Sequence, residues 1–182
     1  NDPKLAAFDG VANGSGWTTV TLDKSYTSMV VIAQPQVGAG APPLASRIRN
    51  ASGSSFEVRL DRLDGSATPV GPTGVRYLVV EAGVYNKATH GIKMEAVKFS
   101  SSVTDRAGSF TGTTRPFAYT GYDHYFMPAV FGQVMTSNDT SWSAFWFDAG
   151  ANSLRLGKHV GEDPDTTRSD ETIGYVVIEA GS

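Results

Sequence analysis

A nine-residue strand pattern occurs twice in this chain, and it narrows the available folds more than any other feature. Val75-Arg76-Tyr77-Leu78-Val79-Val80-Glu81-Ala82-Gly83 returns as Ile173-Gly174-Tyr175-Val176-Val177-Ile178-Glu179-Ala180-Gly181. Tyr77 and Tyr175 are 98 residues apart, close to the size of a small β-sandwich. Upstream, residues 29–37 align with residues 127–135 at an offset of 98 or 99, and residues 55–58 align with residues 141–144 at a shorter one. Three matches in the same order predict an all-β chain of two tandem, diverged antiparallel β-sandwich units. The units span residues 1–88 and 89–182, with a short junction at residues 86–91.

The local patterns agree with strands. Thr18, Val20 and Leu22 alternate with Trp17, Thr19 and Thr21, and Phe56, Val58 and Leu60 alternate with Glu57 and Arg59. A period of two marks a half-buried strand. Residues 94–99 have the length of a short helix, but Val97, Phe99 and the nearby Val103 predict a strand. Asn13-Gly14, Pro42-Pro43 and Asp64-Gly65 mark turns.

Charge and composition exclude several partners. The 182 residues carry a net charge of −3, with no run of Lys or Arg. Nucleic acid is not an expected partner, because phosphate binding needs clustered positive charge. The longest apolar runs, such as residues 77–80, are far too short for a membrane-spanning helix, so membrane insertion is not expected. Cysteine is absent, which removes disulfides, thiolate nucleophiles and Cys-ligated metals. Asn1 in place of an initiator Met predicts a start after a processed leader or an imposed boundary; the binding-module reading given below carries the expectation of a secreted, extracellular protein.

The first half resembles H-type lectin-like domains. The residues that carry the resemblance are Tyr26, the Val30–Pro35 stretch, Arg47-Ile48-Arg49-Asn50, Phe56-Glu57-Val58-Arg59 and the closing residues 77–82. The second half echoes the order but has Asn138-Asp139-Thr140-Ser141-Trp142 where the Arg-x-Arg-Asn strand is expected. The resemblance implies small antiparallel sandwiches that self-associate, often as trimers, and bind sugars beside polysaccharide-degrading enzymes.

The second half holds the residues suited to sugar. Sugar rings stack on aromatic planes, and their hydroxyls need polar neighbours. Tyr119, Tyr122, Asp123, His124 and Tyr125 combine both kinds in one Gly-containing loop, and Trp142, Trp146 and Arg168 extend the set. The same aromatics suit a sandwich core equally well. Asp163, Asp165 and Asp170 lie in an acidic loop rich in oxygen donors, which makes calcium the metal to expect there, although no EF-hand spacing is present. A solvated turn capped by Asp side chains is the alternative. His90, His124 and His159 share no metal-ligand spacing. Glu81 and Glu179 each close a strand before Ala-Gly, which predicts carboxylates that accept turn N–H groups.

No nucleophile elbow or phosphate-binding loop occurs in the sequence. The expected function is therefore a carbohydrate-binding module for a polysaccharide or glycan, without enzyme activity and without a cofactor beyond structural calcium. A self-assembling extracellular β-protein is the first alternative, and a polysaccharide lyase or hydrolase is the second.

Overall fold

The computed structural model describes residues 3–181. The first half contributes β1 (Leu5–Ala12), β2 (Thr18–Tyr26), β3 (Met29–Pro35), β4 (Leu44–Arg62) and β5 (Thr73–Glu81). A short β6 (Gly83–Tyr85) and a one-turn helix α1 (Lys87–His90) lead into the second half. There follow β7 (Met94–Ser101), β8 (Thr104–Asp105), β9 (Thr113–Pro116), β10 (Ala129–Val134), β11 (Ala144–Ala149), β12 (Ser153–His159) and β13 (Glu171–Ile178). The chain is all-β, as its period-two patterns require.

The repeated strands sit at the centres of two like sheets. β5 lies between β1 and β3, and β13 lies between β7 and β10, every pair antiparallel. Tyr77 stands opposite Phe8 and Ala33, and Tyr175 stands opposite Val97 and Gly132. A strand flanked on both sides and covered on both faces becomes apolar throughout. Val75, Tyr77, Val79 and Val80 are buried accordingly, as are Ile173, Tyr175, Val176 and Val177.

These two sheets stack between two outer layers. β2 and β4 cover the first sheet through Phe56, Val58 and Leu60, with Phe56 edge-on to Tyr77. β11 and β12 cover the second through Leu154, Leu156 and Phe145, joined by Ile173, Tyr175 and Val177. The inner sheets meet back to back: Met94, Ala96, Met135 and Val176 belong to the same apolar cluster as Val30 and Val80. A Cβ on Gly174 would overlap the Met135 sulfur, so glycine permits this close approach.

β4 doubles back on itself. Nineteen extended residues would reach roughly 60 Å, yet the Leu63 N–H donates to the Pro43 carbonyl at 3.0 Å. Arg49 pairs with Glu57 across the ribbon at 2.9 Å, and Asn50 and Gly53 take positive φ at the bend. In the second half β11 and β12 form an antiparallel hairpin. The aligned residues 55–58 and 141–144 stand in different settings. Phe56 and Val58 lie on the returning arm of β4, whereas Trp142 precedes β11 and Ala144 opens it.

Candidate functional site

The aromatic loop is held from beneath by one lysine. Lys93, just before β7, is buried, and its Nζ lies 3.0 Å from Asp123, 3.3 Å from Glu179 and 2.8 Å from the His124 carbonyl. It also faces the rings of Tyr119 and Tyr125 at 5.0 and 5.6 Å. Burial pulls its pKa down, but hydrogen bonds to Asp123 and Glu179 outweigh that, and the net shift is upward. Glu179 is lowered, first by the Phe126 N–H and then by Lys93.

This anchoring decides which loop residues face outward. Tyr125 is core, edge-on to Phe117 and Tyr119, and burial raises its pKa. The Tyr119 hydroxyl donates to the Tyr85 carbonyl at 2.7 Å, and the His124 ring lies 2.8 Å from the Gly121 carbonyl. Tyr122 is fully exposed, with Phe126 and Met127 exposed beside it in sequence. Of the loop's tyrosines only Tyr122 thus stands fully in solvent, with the Phe126 ring exposed beside it in sequence.

Trp146 lies elsewhere, on the β11–β12 layer. It packs over Gly112 and Gly157 and meets Phe110 edge-on, and Phe110 stacks on His159. The Trp146 indole N–H is buried without a partner.

Trp142 and the acidic loop assemble at the other end of β13. Glu171 is buried there and accepts from the Asn138 N–H at 3.1 Å, the Asp139 N–H at 3.0 Å and the Thr136 hydroxyl. Asp139 in turn accepts from the N–H groups of Ser141 and Ser169, both at 2.9 Å. The Arg168 guanidinium donates to the carbonyls of Trp142, Asp165 and Thr167 and to the Asp163 carboxylate. Its side chain is only 2% exposed, so Arg168 staples the loop. Glu171 and Glu179 are eight residues apart on an extended strand, which separates the Trp142 region from the Tyr122 loop by roughly 26 Å.

The acidic loop uses its own oxygens. Asp163 accepts from the Asp165 N–H and from Arg168, and Asp165 accepts from the Thr167 N–H. The Asp170 carbonyl accepts from the Asn138 side chain. Among the described residues no group of three or more His, Cys, Asp or Glu is arranged to hold a metal.

Trp142 borders a polar cleft of about 290 Å³ between the halves. Leu60, Asp61, Arg62 and residues 66–70 supply the first-half wall, and Thr140, Ser141, Trp142 and Asp163 supply the other. Arg62 forks onto Asp64 through contacts of 3.0 and 2.5 Å, and the Asp64 carboxyl is held down at about 2, chiefly by Arg62 and then by the Ser66 N–H. Asp163 is lowered by the Asp165 N–H and then by Arg168. Asp61 accepts from Arg47 and from both ends of Arg59. The first-half wall was not among the residues singled out from sequence. Its signal was the i, i+2 pair Arg59–Asp61, which strand geometry sets on one face, and the pair Arg62–Asp64 at the turn that follows.

Comparison with known proteins finds no family model, no curated protein and no solved structure that matches this chain.

Proposed function

We propose that this protein binds a polysaccharide or glycan in the cleft between its halves. The observation that carries the reading is Trp142 lining a cleft whose other walls hold Asp61, Arg62, Asp163 and the hydroxyl residues Thr68, Thr140 and Ser141. An indole stacks on the C–H face of a sugar. Carboxylates with spare lone pairs accept its hydroxyls, and an ionised carboxylate offers about four acceptor sites. Asp163 uses two of these on the protein. The likeness of the first half to H-type lectin-like domains points the same way.

Binding fits the cleft better than hydrolysis does. A glycosidase acid must keep its proton near neutral pH, which requires a raised pKa. Asp163 is lowered instead, and the other cleft carboxylate, Asp61, is engaged by the guanidinium groups of Arg47 and Arg59. The same reading takes the halves as diverged copies of one unit, so the cleft arose where the copies met.

The test is a glycan array followed by titration of any hit with wild type, Trp142→Ala and Tyr122→Ala, with folding checked by circular dichroism. Trp142→Ala is expected to weaken binding by about 1–3 kcal/mol, the usual scale for one aromatic stacking partner, and Tyr122→Ala to leave it unchanged. Loss in Tyr122→Ala alone moves the site to the loop. Silence across a broad glycan panel removes the reading.

A further inference from the structure

The outer face of the β11–β12 hairpin carries an aromatic site that continues from the cleft. Trp146 stands opposite Gly157 and beds on two glycines. A Cβ on Gly157 would lie 3.1 Å from the indole nitrogen, and one on Gly112 would lie 2.9 Å from the ring. On the same face, Ala144 and His159 stand opposite each other to one side of Trp146, and Asp148 and Arg155 to the other. Asp148 and Arg155 pair at 2.9 Å, and the guanidinium lies 5.9 Å from the centre of the Trp146 ring.

Two donors on this face are unused. His159 Nδ1 accepts from the Gly161 N–H at 3.0 Å, so the neutral ring carries its proton on Nε2. That nitrogen and the indole nitrogen of Trp146 are both buried, and neither has a hydrogen-bond partner among the described residues. Buried donors left unpaired cost stability, and native proteins keep few of them. Phe110 packs on both rings, stacked on His159 at 4.7 Å and 13° and edge-on to Trp146 at 5.3 Å. Its own ring is half exposed. Asp105 holds the backbone around it, accepting from the Ser109 hydroxyl and the Thr111 N–H, so the ring can turn away while the segment stays in place.

The site is continuous with the cleft. Gly161, which binds His159, also underlies Trp142: a Cβ on it would lie 3.4 Å from that indole. Trp142 and Trp146 are four residues apart, so their Cα atoms are separated by at most roughly 14 Å. We infer that the ligand is a linear polysaccharide that runs from Trp142 along the outer face of β11, where one of its rings displaces Phe110. That ring stacks over His159 and Trp146, and its oxygens accept from His159 Nε2–H and Trp146 Nε1–H. A phenyl ring supplies the apolar contact but no acceptor, whereas a sugar supplies both. The inference rests on the glycan-binding reading and adds to it a second subsite and a length requirement.

The probes are linear hexasaccharides of β-linked glucose, xylose, mannose and N-acetylglucosamine and of α-linked galacturonate, each beside its disaccharide. In calorimetric titration at least one hexasaccharide is expected to bind roughly tenfold or more tighter than its disaccharide, as a second stacking contact adds to the first. Trp146→Ala should remove that advantage and leave disaccharide binding as it was, whereas Trp142→Ala should weaken both. Phe110→Ala should strengthen hexasaccharide binding by about three- to tenfold, the scale of the aromatic pair that no longer has to be broken. In the wild-type chain the indole N–H resonances of Trp142 and Trp146 should move on titration while that of Trp17 stays. This readout decides even where a variant does not fold. Hexasaccharide binding that loses nothing in Trp146→Ala, gains nothing in Phe110→Ala or leaves the Trp146 resonance in place overturns the inference and leaves the cleft reading standing. Equal affinity for hexasaccharide and disaccharide does the same. Silence of every probe removes both.

Discussion

The Arg47 guanidinium lies 2.7 Å from the Asp139 carbonyl, so a first-half side chain ends on second-half backbone. The same guanidinium reaches the Ser137 hydroxyl, the Thr140 carbonyl and Asp61, and the side chain is only 2% exposed. It therefore ties the wall that carries Asp61 to the loop that carries Trp142. Removing one partner of a buried charge pair leaves the other uncompensated, at a typical cost of 3–5 kcal/mol. Arg47→Ala is expected to lose stability on that scale in urea unfolding. Arg47→Lys should recover only part of it, since an ammonium lacks the fork that spans several acceptors. A loss below about 1 kcal/mol for Arg47→Ala would show that the buried Ser46–Gln133 hydrogen bonds and apolar contact hold the halves without it.

Glu95 gives a pH dependence of defined sign. It is buried on β7, its Oε2 accepts from the Ala118 N–H at 2.7 Å, and its Oε1 has no partner. Burial raises its pKa, and the Ala118 N–H and Arg115 only partly oppose that. The folded state thus disfavours the carboxylate. Below the unfolded pKa of roughly 4.3 there is no penalty. The penalty grows as pH rises towards the folded value and is constant above it. Glu95→Gln keeps an acceptor for Ala118 and cannot ionise. Its Tm should exceed that of wild type at pH 7, and the gap should close as pH falls towards 4. A gap that widens on acidification would reverse the assignment.

Glu179 carries the opposite sign. Its pKa is lowered by the Phe126 N–H and by Lys93, so it contributes stability above the unfolded pKa that is lost as pH falls through the folded value. Glu179→Gln should speed amide exchange at Phe126 and through the 119–127 loop at neutral pH while leaving the β13 core protected. Glu81 holds the matching turn by accepting from the N–H groups of Thr27 and Ser28, so Glu81→Gln should loosen those amides in parallel. Loss of glycan binding in Glu179→Gln with loop exchange unchanged would give that residue a role in binding instead.

Much of the fold was legible because period two reports burial directly. Phe56, Val58 and Leu60 are all buried, and Glu57 and Arg59 between them turn to ion pairs. The bend inside β4 falls at Asn50-Ala51-Ser52-Gly53-Ser54-Ser55, a turn-forming run by composition, although the backbone stays extended on both sides of it. The sorting of rings in the aromatic loop was not legible for a different reason. Five aromatics in ten residues have no period, and what sorts Tyr125 inward and Tyr122 outward is Lys93, distant in sequence and central in space. Arg168 read as a ligand contact because charge on a loop suggests solvent, yet its guanidinium is filled by loop carbonyls. The cleft itself exists only once Trp142 and Asp163 of the second half face Leu60–Arg62 and residues 66–70 of the first.

Gly132 and Phe145 provide a last test, of how β10 meets the outer layer. Gly132 is opposite Tyr175 in the central sheet, and a Cβ placed on it would overlap the Phe145 ring. Phe145 lies at the start of β11, packs against the second core cluster and stacks near Phe147 at 5.9 Å. Glycine within a strand is normally a weakness, and here it makes room for a ring. Gly132→Ala should therefore cost about 1–3 kcal/mol, as overpacking does, although alanine is otherwise the better strand residue. In a Phe145→Ala background the obstacle is gone, and the same substitution should be close to neutral. The double-mutant cycle should accordingly show strong coupling between positions that are 13 residues apart in sequence. Additive effects would mean that the ring is not what excludes a side chain from position 132.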